Sequence, residues 1–501
     1  MAKKLGLRET YAAMTRGVNW TPSYVKEEEA FPYHQFEGIK IHDWDKWEDP
    51  FRMTVDNYWK YQAEKDRRLY AVLDSFSQNQ GHLNISDARY LNAIKIFLQG
   101  VTPLEYMAHR HFMFISRYIP GPGTRMAALC QSIDELRHTQ IEIHSMSPYN
   151  KYYSGFHSMR QMHDRVWYLS VPKSYFDDAV TAGPFEFLTA ISFSFEYLLT
   201  NLLFVPFMSG AAYNGDLPTT TFGFSAQSDE SRHMTLGLQV IKFLLEQDEA
   251  NVPIVQRWLD KWFWRGYRLN ALVAAMMDYM LPKKVMSWKE AFELYFEQQM
   301  LDGLFPDLAR YGIKPPMGVE QAIKEKEKIS HEVYWTLYSF GFAAAFNTWI
   351  PTASEQDWMT QKYPETFDKY YRPHFEKAQK IADQGGRFFM LGLPQLCQVC
   401  QIPMLFTEPD DPGKICFRST TYQGEKYHFC SDGCKQIFEW EPQKYVQSWL
   451  PVHEIYKGNC GGPTVPEVLA WYGIQPGDNG EYQGSVDQQN WANWHKDLAT
   501  V

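Results

Sequence analysis

The 501-residue chain has little of what marks several large classes of protein. Basic residues are not in excess: 49 Lys and Arg stand against 59 Asp and Glu, a formal net charge of -10, which argues against a nucleic-acid partner because phosphate binding draws on clustered cations. No apolar run follows the lysines of MAKKLGLRETYAAMTRG, so the start lacks a secretory signature. The longest apolar run, Phe185 to Tyr213, is broken by Glu186, Glu196 and Asn201, which predicts a buried helix and no membrane span. Cysteine is scarce, seven in all; four fall in two close pairs, which suits a reducing compartment, the cytoplasm, and a metal site better than a disulfide framework. There is no Gly-x-Gly-x-x-Gly after a strand and no iron–sulfur cysteine spacing, so the chain carries no electron-supplying cofactor motif of its own.

What the chain does have is length, aromatic residues at 16% and long helical periodicity. Residues 1–85 read as an N-terminal arm in which Pro50 to Leu73 is helical. Residues 86–390 read as a helical domain, opening at Ser86-Asp87, with helices over 86–118, 124–145, 155–168, 173–182, 184–213, 219–247, 251–280 and 287–311. Further helix is expected over 317–350 and 364–385, ending at Gly385-Gly386. The PGPG run at Pro120 to Gly123 and the Tyr213-Asn214-Gly215-Asp216 stretch join neighbouring helices into hairpins, which means a bundle. Residues 391–450 form a small irregular module, and 451–501 a polar tail lying over the surface.

Two of the long helices carry the same pattern. QSIDELRHTQ holds Asp134, Glu135, Arg137 and His138; QSDESRHMTL holds Asp229, Glu230, Arg232 and His233. Residues three apart share a helix face, so Glu135 with His138 can hold one ion and Glu230 with His233 another. Each pair needs a further carboxylate from the preceding helix of its hairpin: Glu105, 30 residues before Glu135, and Glu196, 34 before Glu230. Four carboxylates at about -4 and two divalent ions at about +4 cancel, which makes burial tolerable. Oxygen and nitrogen donors with open positions suit iron or manganese, and redox use favours iron. Asp134 and Asp229 are expected to hydrogen-bond the imidazoles across the bundle, with Arg137 and Arg232 balancing them. Bland readings stand beside these. A lone Glu-x-x-His is usually a solvated face, Glu105 fits a capping box begun by Thr102, and Glu186 competes with Glu196.

These residues resemble the large subunit of bacterial multicomponent monooxygenases, most closely the phenol hydroxylases, with toluene and soluble methane monooxygenases further off. The resemblance rests on Asp134-Glu135-Leu136-Arg137-His138 and Asp229-Glu230-Ser231-Arg232-His233 with Glu105 and Glu196, and runs over most of the chain. It implies a mainly α fold with a ferritin-like four-helix bundle core, added helices, a zinc-binding module and a tail. It also implies a dinuclear iron centre that uses O2 to hydroxylate phenol and methylphenols to catechols. The partners implied are two smaller subunits in an (αβγ)2 assembly, a small regulatory protein and an NADH-dependent iron–sulfur flavoprotein reductase. The alternatives are a toluene, benzene or alkene monooxygenase subunit, a ferritin-like iron protein, and a scaffold without catalysis.

By the same resemblance Thr200 stands beside the oxygen-binding position, as a proton relay or as a helix threonine bonded to the carbonyl four residues earlier. Asn201 and Gln227 line the approach, or satisfy each other. Glu142, four after His138, occupies the place where ribonucleotide reductases carry a radical tyrosine; a glutamate cannot serve that role. Toluene enzymes often have Gln there. An aromatic-lined pocket is expected from Val101, Tyr175, Phe176, Phe195 and Phe204, each of which also fits plain core.

Cys397-Gln398-Val399-Cys400 and Cys430-Ser431-Asp432-Gly433-Cys434 are spaced for a four-cysteine zinc site. HFCSDGCKQIFEWEP resembles a treble-clef module whose second pair begins at a helix start. A one-iron electron-transfer site is the competing reading, and the three residues between the second pair disfavour it. Cys130, Cys416 and Cys460 are expected to be free thiols.

Overall fold

The computed structural model describes residues 37–448 except 51–52, 86, 154–155, 157–166, 340–349, 386–394 and 405, together with 23–30, Gly6, Glu9 and Ala13. The expected helix over 155–168, the Ser86 helix start, Gly386, Cys460 and the tail over 451–501 therefore lie wholly or largely outside the described residues.

The body is helical. Helix α1 is Val55–Gln78, α2 Ala88–Tyr118, α3 Pro122–Asn150 and α4 Trp167–Ala179. Helix α5, Pro184–Tyr213, contains a π-helical stretch, Thr189–Tyr197. Helix α6 is Leu217–Gln247, and α7, Val252–Ala275, ends in a π turn, Met276–Met280. Local chemistry sets the starts: the Thr54, Asp87 and Asp216 side chains accept from the first-turn N–H groups of α1, α2 and α6, and Gly121-Pro122 opens α3. Gly215, at φ 82°, makes the α5–α6 turn.

Several expectations need correction. Helix 173–182 begins earlier, running from Trp167 through Pro172 to Ala179. The helix over 287–311 is largely π-helical, with Trp288–Ala291 followed by Phe292–Leu304. Of the stretch 317–350, the described part up to Ser339 is broken into α9 and α10, Val319–Glu325 and Ile329–Ser339, and 340–349 lie outside the described residues; we number Trp288–Ala291 with its continuation as α8. Ala353–Lys362, α11, was not anticipated, although Thr352 and Glu355 form a reciprocal capping box. Over 364–385 a π turn, Phe367–Tyr371, leads into α12, Arg372–Asp383.

α2 packs against α3 and α5 against α6, and the two hairpins face one another with α1 laid over α3 and α6. α5 is long and apolar enough to cross a membrane by composition, but most of it is buried among other helices. Trp262, Trp264 and Tyr267 of α7 and Trp288 of α8 are among the largest fully buried side chains.

The small module has two hairpins: β1 Thr407–Glu408 with β2 Asp411–Ile415, and β3 Arg418–Tyr422 with β4 Glu425–Phe429. β3 and β4 pair in register from Arg418↔Phe429 to Tyr422↔Glu425. Gln423 and Gly424 both take positive φ, 53° and 86°, as a two-residue hairpin turn demands. β4 runs directly into α13, Asp432–Trp440.

Candidate metal centre

Glu105 comes from α2, Glu135 and His138 from α3, Glu196 from the π stretch of α5, and Glu230 and His233 from α6. His138 Nδ1 faces Glu105 Oε2 at 3.6 Å, Glu135 Oε2 at 3.7 Å and Glu230 Oε1 at 3.7 Å. His233 Nδ1 faces Glu135 Oε1 at 3.5 Å, Glu230 Oε2 at 3.7 Å and Glu196 Oε1 at 3.9 Å. Each imidazole thus meets one carboxylate of its own, and Glu135 and Glu230 turn one oxygen to each. The sequence reading assigned Glu135 and Glu230 to separate ions; the geometry has both facing both imidazoles.

The competing readings of these carboxylates fail on position. α2 runs unbroken through Thr102, whose hydroxyl donates to the Leu98 carbonyl at 2.5 Å, so no capping box forms at Glu105. Glu186 is engaged elsewhere, accepting from Lys261 Nζ at 3.1 Å and the Trp262 indole at 3.0 Å.

Both Nδ1 atoms are buried without a hydrogen-bond partner. Two atoms each about 2.1 Å from one ion stand at most about 4.2 Å apart, and all six separations above meet that limit. Burial pushes the Glu105 and Glu196 carboxyls up, and a neighbouring carboxylate adds to each. Burial also works against charge on the imidazoles, yet the surrounding carboxylates raise both far above their ordinary value. Glu135 is held down at about 2 by His233 and His138 in spite of its burial. A cradle that draws in positive charge and aims two imidazole nitrogens at its middle fits a pair of divalent cations, which would take the place of the protons there.

Outside the cradle, His138 Nε2 meets Asp229 Oδ2 at 3.3 Å and His233 Nε2 meets Asp134 Oδ2 at 3.1 Å, each across the bundle. Arg137 donates to Asp134 at 3.2 Å and to Asp229 at 3.1 Å; Arg232 bonds the same two carboxylates. α1 completes this layer with residues the sequence reading passed over. Tyr58 donates to Asp134 at 2.7 Å, Gln62 to Asp134 at 2.6 Å and to Asp229 at 2.8 Å, Lys65 pairs with Asp229, and Asp66 pairs with Arg137. Spacing by four and by seven along α1 was their available signal. Gln131, four before Glu135, donates to Glu135 at 3.1 Å and to Glu196 at 3.0 Å, and Ser192 steadies it at 2.9 Å.

A cavity of about 150 Å³ ends on Glu105, Glu135, Glu196 and Glu230. Of the expected pocket residues Val101, Phe176, Phe195 and Phe204 line it; Tyr175 does not, standing one layer back with its hydroxyl on the Ala190 carbonyl at 2.7 Å. Leu269, Leu272, Val273 and Met276 of α7 form a wall that their helical spacing could have announced. Thr200 lines the cavity and donates to the carbonyl of Phe195, five residues back, because the π stretch displaces the usual fourth-residue carbonyl. Asn201 accepts from Gln227 at 3.2 Å. Glu142 is buried, and burial pushes it up to about 8.

In the small module the four cysteine sulfurs gather within 4.8 Å of one another, with Cys400–Cys430 at 3.5 Å and Cys430–Cys434 at 3.8 Å. Sulfurs bound tetrahedrally about 2.3 Å from one zinc stand about 3.8 Å apart, whereas disulfide sulfurs stand about 2.0 Å apart. Cys397 and Cys400 lie in a turn closed by Gln401 N–H on the Cys397 carbonyl, and Cys434 lies in the first turn of α13, capped by Ser431. Cys130 and Cys416 are free thiols.

Four carboxylates and two imidazoles, drawn from two helical hairpins at the end of an apolar cavity, are the donor arrangement of the carboxylate-rich dinuclear class of metalloproteins. The methane/phenol/alkene hydroxylase profile matches residues 20–248, and a YHS-domain profile matches 406–449, over the cysteine module. The chain is 62% identical to the oxygenase component of phenol 2-monooxygenase of Pseudomonas sp. strain CF600, over 98% of this chain and 95% of that protein. It is 28% identical to the alpha subunit of the oxygenase component of the alkene monooxygenase system of Xanthobacter autotrophicus strain Py2, over 94% of each. Its fold matches the crystal structure of xenon-pressurized phenol hydroxylase from Pseudomonas sp. OX1 with a TM-score of 0.91 and 60% identity, over 98% of this chain and all of that one. The chain belongs to the methane/phenol/alkene hydroxylase family.

Proposed function

We propose that the chain is the catalytic oxygenase subunit of a multicomponent di-iron monooxygenase that hydroxylates phenol and methylphenols to catechols. Glu105, Glu135, His138, Glu196, Glu230 and His233 hold two irons between the hairpins, which form a ferritin-like core. Bound iron supplies the activation of O2, by which one oxygen atom enters the ring, the other leaves as water, and two electrons are consumed. The observation that carries the reading is the apolar cavity ending on the carboxylate cradle. At about 150 Å³ it has the size of an engineered apolar cavity that takes up benzene. The near-full-length likeness to a phenol 2-monooxygenase component supports the substrate class.

The side chains divide the remaining work. Asp134 and Asp229 accept the Nε2 protons of His233 and His138, which leaves both Nδ1 lone pairs facing inward. Arg137, Arg232 and Lys65 neutralise the three aspartates beside them. Val101, Phe176, Phe195 and Phe204 orient an aromatic ring and exclude water. Thr200 offers a hydroxyl at the cavity wall, Glu142 holds a proton at neutral pH, and the Asn201–Gln227 pair spans α5 and α6 beside the centre.

Cys397, Cys400, Cys430 and Cys434 hold a structural zinc. Arg265 and Arg268 of α7 lie near enough to feel the charge of Cys400, Cys430 and Cys434, which offsets the excess negative charge of a four-thiolate site. The subunit works in the cytoplasm with two smaller subunits, a small regulatory protein and an iron–sulfur flavoprotein reductase; related chains are named as components of monooxygenase systems.

Metal analysis with Mössbauer spectroscopy tests the assignment: about two coupled irons and one zinc per chain are expected. Glu230→Ala should abolish iron loading while the zinc remains; full hydroxylation by that variant would overturn the iron site. Relative rates on phenol, benzene and propene with purified partners separate the phenol reading from the toluene and alkene ones.

A further inference from the structure

The near-twofold arrangement around the cradle breaks at α1. Asp134 accepts the hydroxyl of Tyr58 at 2.7 Å, whereas Asp229 on the other half is met by the Lys65 ammonium. An ammonium offers no π system to an electron; a phenol does. The Tyr58 ring is only 1% exposed, and its centroid lies 5.3 Å from that of Trp59, which is 49% exposed, at an interplanar angle of 63°. Asp134 in turn holds His233 Nε2 at 3.1 Å, and His233 Nδ1 faces the cradle. Surface indole, buried phenol, carboxylate and imidazole therefore form one continuous line. Among the described residues, the other imidazole reaches α1 only through Asp229, which meets Lys65 and Gln62 there.

We propose that Trp59, Tyr58, Asp134 and His233 form the route by which single electrons from an external iron–sulfur donor enter the centre, on the His233 side. The inference rests on reading the cradle as an iron site. At each transfer the donor cluster loses one electron and one ferric ion gains it, so two transfers bring the pair to the ferrous state. No covalent bond forms or breaks along the line. Burial and the Asp134 charge keep the Tyr58 hydroxyl protonated, so the phenol acts as a bridge and not as a stored radical. The Arg232 guanidinium, 5.4 Å from the Tyr58 ring, places a fixed positive charge beside the path.

The test uses the iron-loaded oxygenase assembly and follows reduction of its ferric centre optically after rapid mixing with the NADH-reduced iron–sulfur flavoprotein. Trp59→Leu is expected to slow reduction several-fold at saturating donor, with iron content and product per iron in a single turnover of dithionite-reduced protein unchanged. Tyr58→Phe, which keeps the ring and loses the hydrogen bond to Asp134, should slow the same step. Tyr61→Leu, an exposed aromatic of α1 off the line, should not. Wild-type rates in both Trp59→Leu and Tyr58→Phe would overturn the route. So would an effect confined to the donor concentration needed for half-saturation, because that reports docking. Failure of the iron reading shows separately, as wild-type protein with no coupled iron pair and no single-turnover product.

Discussion

Gln62→Leu is the sharpest probe of how the outer layer supports the centre. The Gln62 amide is buried and donates to Asp134 at 2.6 Å and to Asp229 at 2.8 Å, so one NH2 group links the carboxylates that orient both imidazoles. A hydrogen bond to a charged group contributes about 1.5–3 kcal/mol, giving about 3–6 kcal/mol for the pair. The true cost sits at or below the lower end. Asp134 keeps Tyr58, Arg137, Arg232 and His233, Asp229 keeps Lys65, both arginines and His138, and leucine removes a Gln62 Oε1 that has no partner among the described residues. About 1.4–2.7 kcal/mol corresponds to a 10–100-fold loss of metal affinity, the usual scale for a group that orients a ligand. Chelator competition measures that affinity, and Mössbauer spectroscopy shows whether both irons weaken together, as a shared amide requires. Gln62→Glu should be worse, because it sets a third carboxylate against two. Iron held as tightly as in wild type, or loss from one site alone, would refute the bridging role.

Three further outcomes can be checked directly. Cys430→Ser should lose zinc and lower the unfolding temperature while the soluble fraction keeps wild-type hydroxylation per iron; normal stability with a lost electron supply would point to a redox site instead. Phe176→Leu opens the cavity wall and should shift kcat/KM toward bulkier methylphenols by about tenfold, on the scale of one methylene or so in an apolar pocket; an unchanged ratio removes Phe176 from the substrate wall. Burial holds His331 at about 3, so between pH 6.5 and 3 the unfolded chain binds a proton that the native one does not, and stability falls with pH across that window. From pH 6.5 to 5 this amounts to about 2 kcal/mol, which His331→Gln should abolish. Burial raises the neighbouring Glu332 to about 7, which acts in the opposite sense but is present in both proteins, so it cancels in the comparison of their unfolding midpoints.

The long helices were legible because apolar residues recur at helical spacing and because Pro-Gly and Asn-Gly runs punctuate them. The six cradle residues were singled out from the same periodicity, which puts Glu135 with His138 and Glu230 with His233 on one face. Spacing within a helix does not say which neighbour a carboxylate leans toward, so the sharing of Glu135 and Glu230 by both imidazoles was not visible. The α1 residues were missed for a related reason. Gln62, Lys65 and Asp66 look like a solvated face until α3 and α6 bring two buried aspartates beneath them. Tyr175 was misplaced because adjacency in sequence to Phe176 does not fix which ring turns inward, and the Ala190 carbonyl claims its hydroxyl. The π stretch at Glu196 has no signal in hydrophobic pattern, and it moves the bond of Thr200 by one residue.

The clasp made by α1 has a consequence for how the molecule comes into being. α1 is synthesised before α3 and α6, yet Tyr58 bonds a residue 76 positions later and Gln62 one 167 positions later. Such distant contacts are slow to form, because much chain must be ordered before they hold. The ribosome must deliver both hairpins before the helix has anything to grip. A metal captured earlier meets imidazoles that nothing yet orients. Assembly of the centre is thus timed by the least local contacts in it, and a shortened chain beginning at residue 86 would keep all six inward-facing side chains without the helix that sets them.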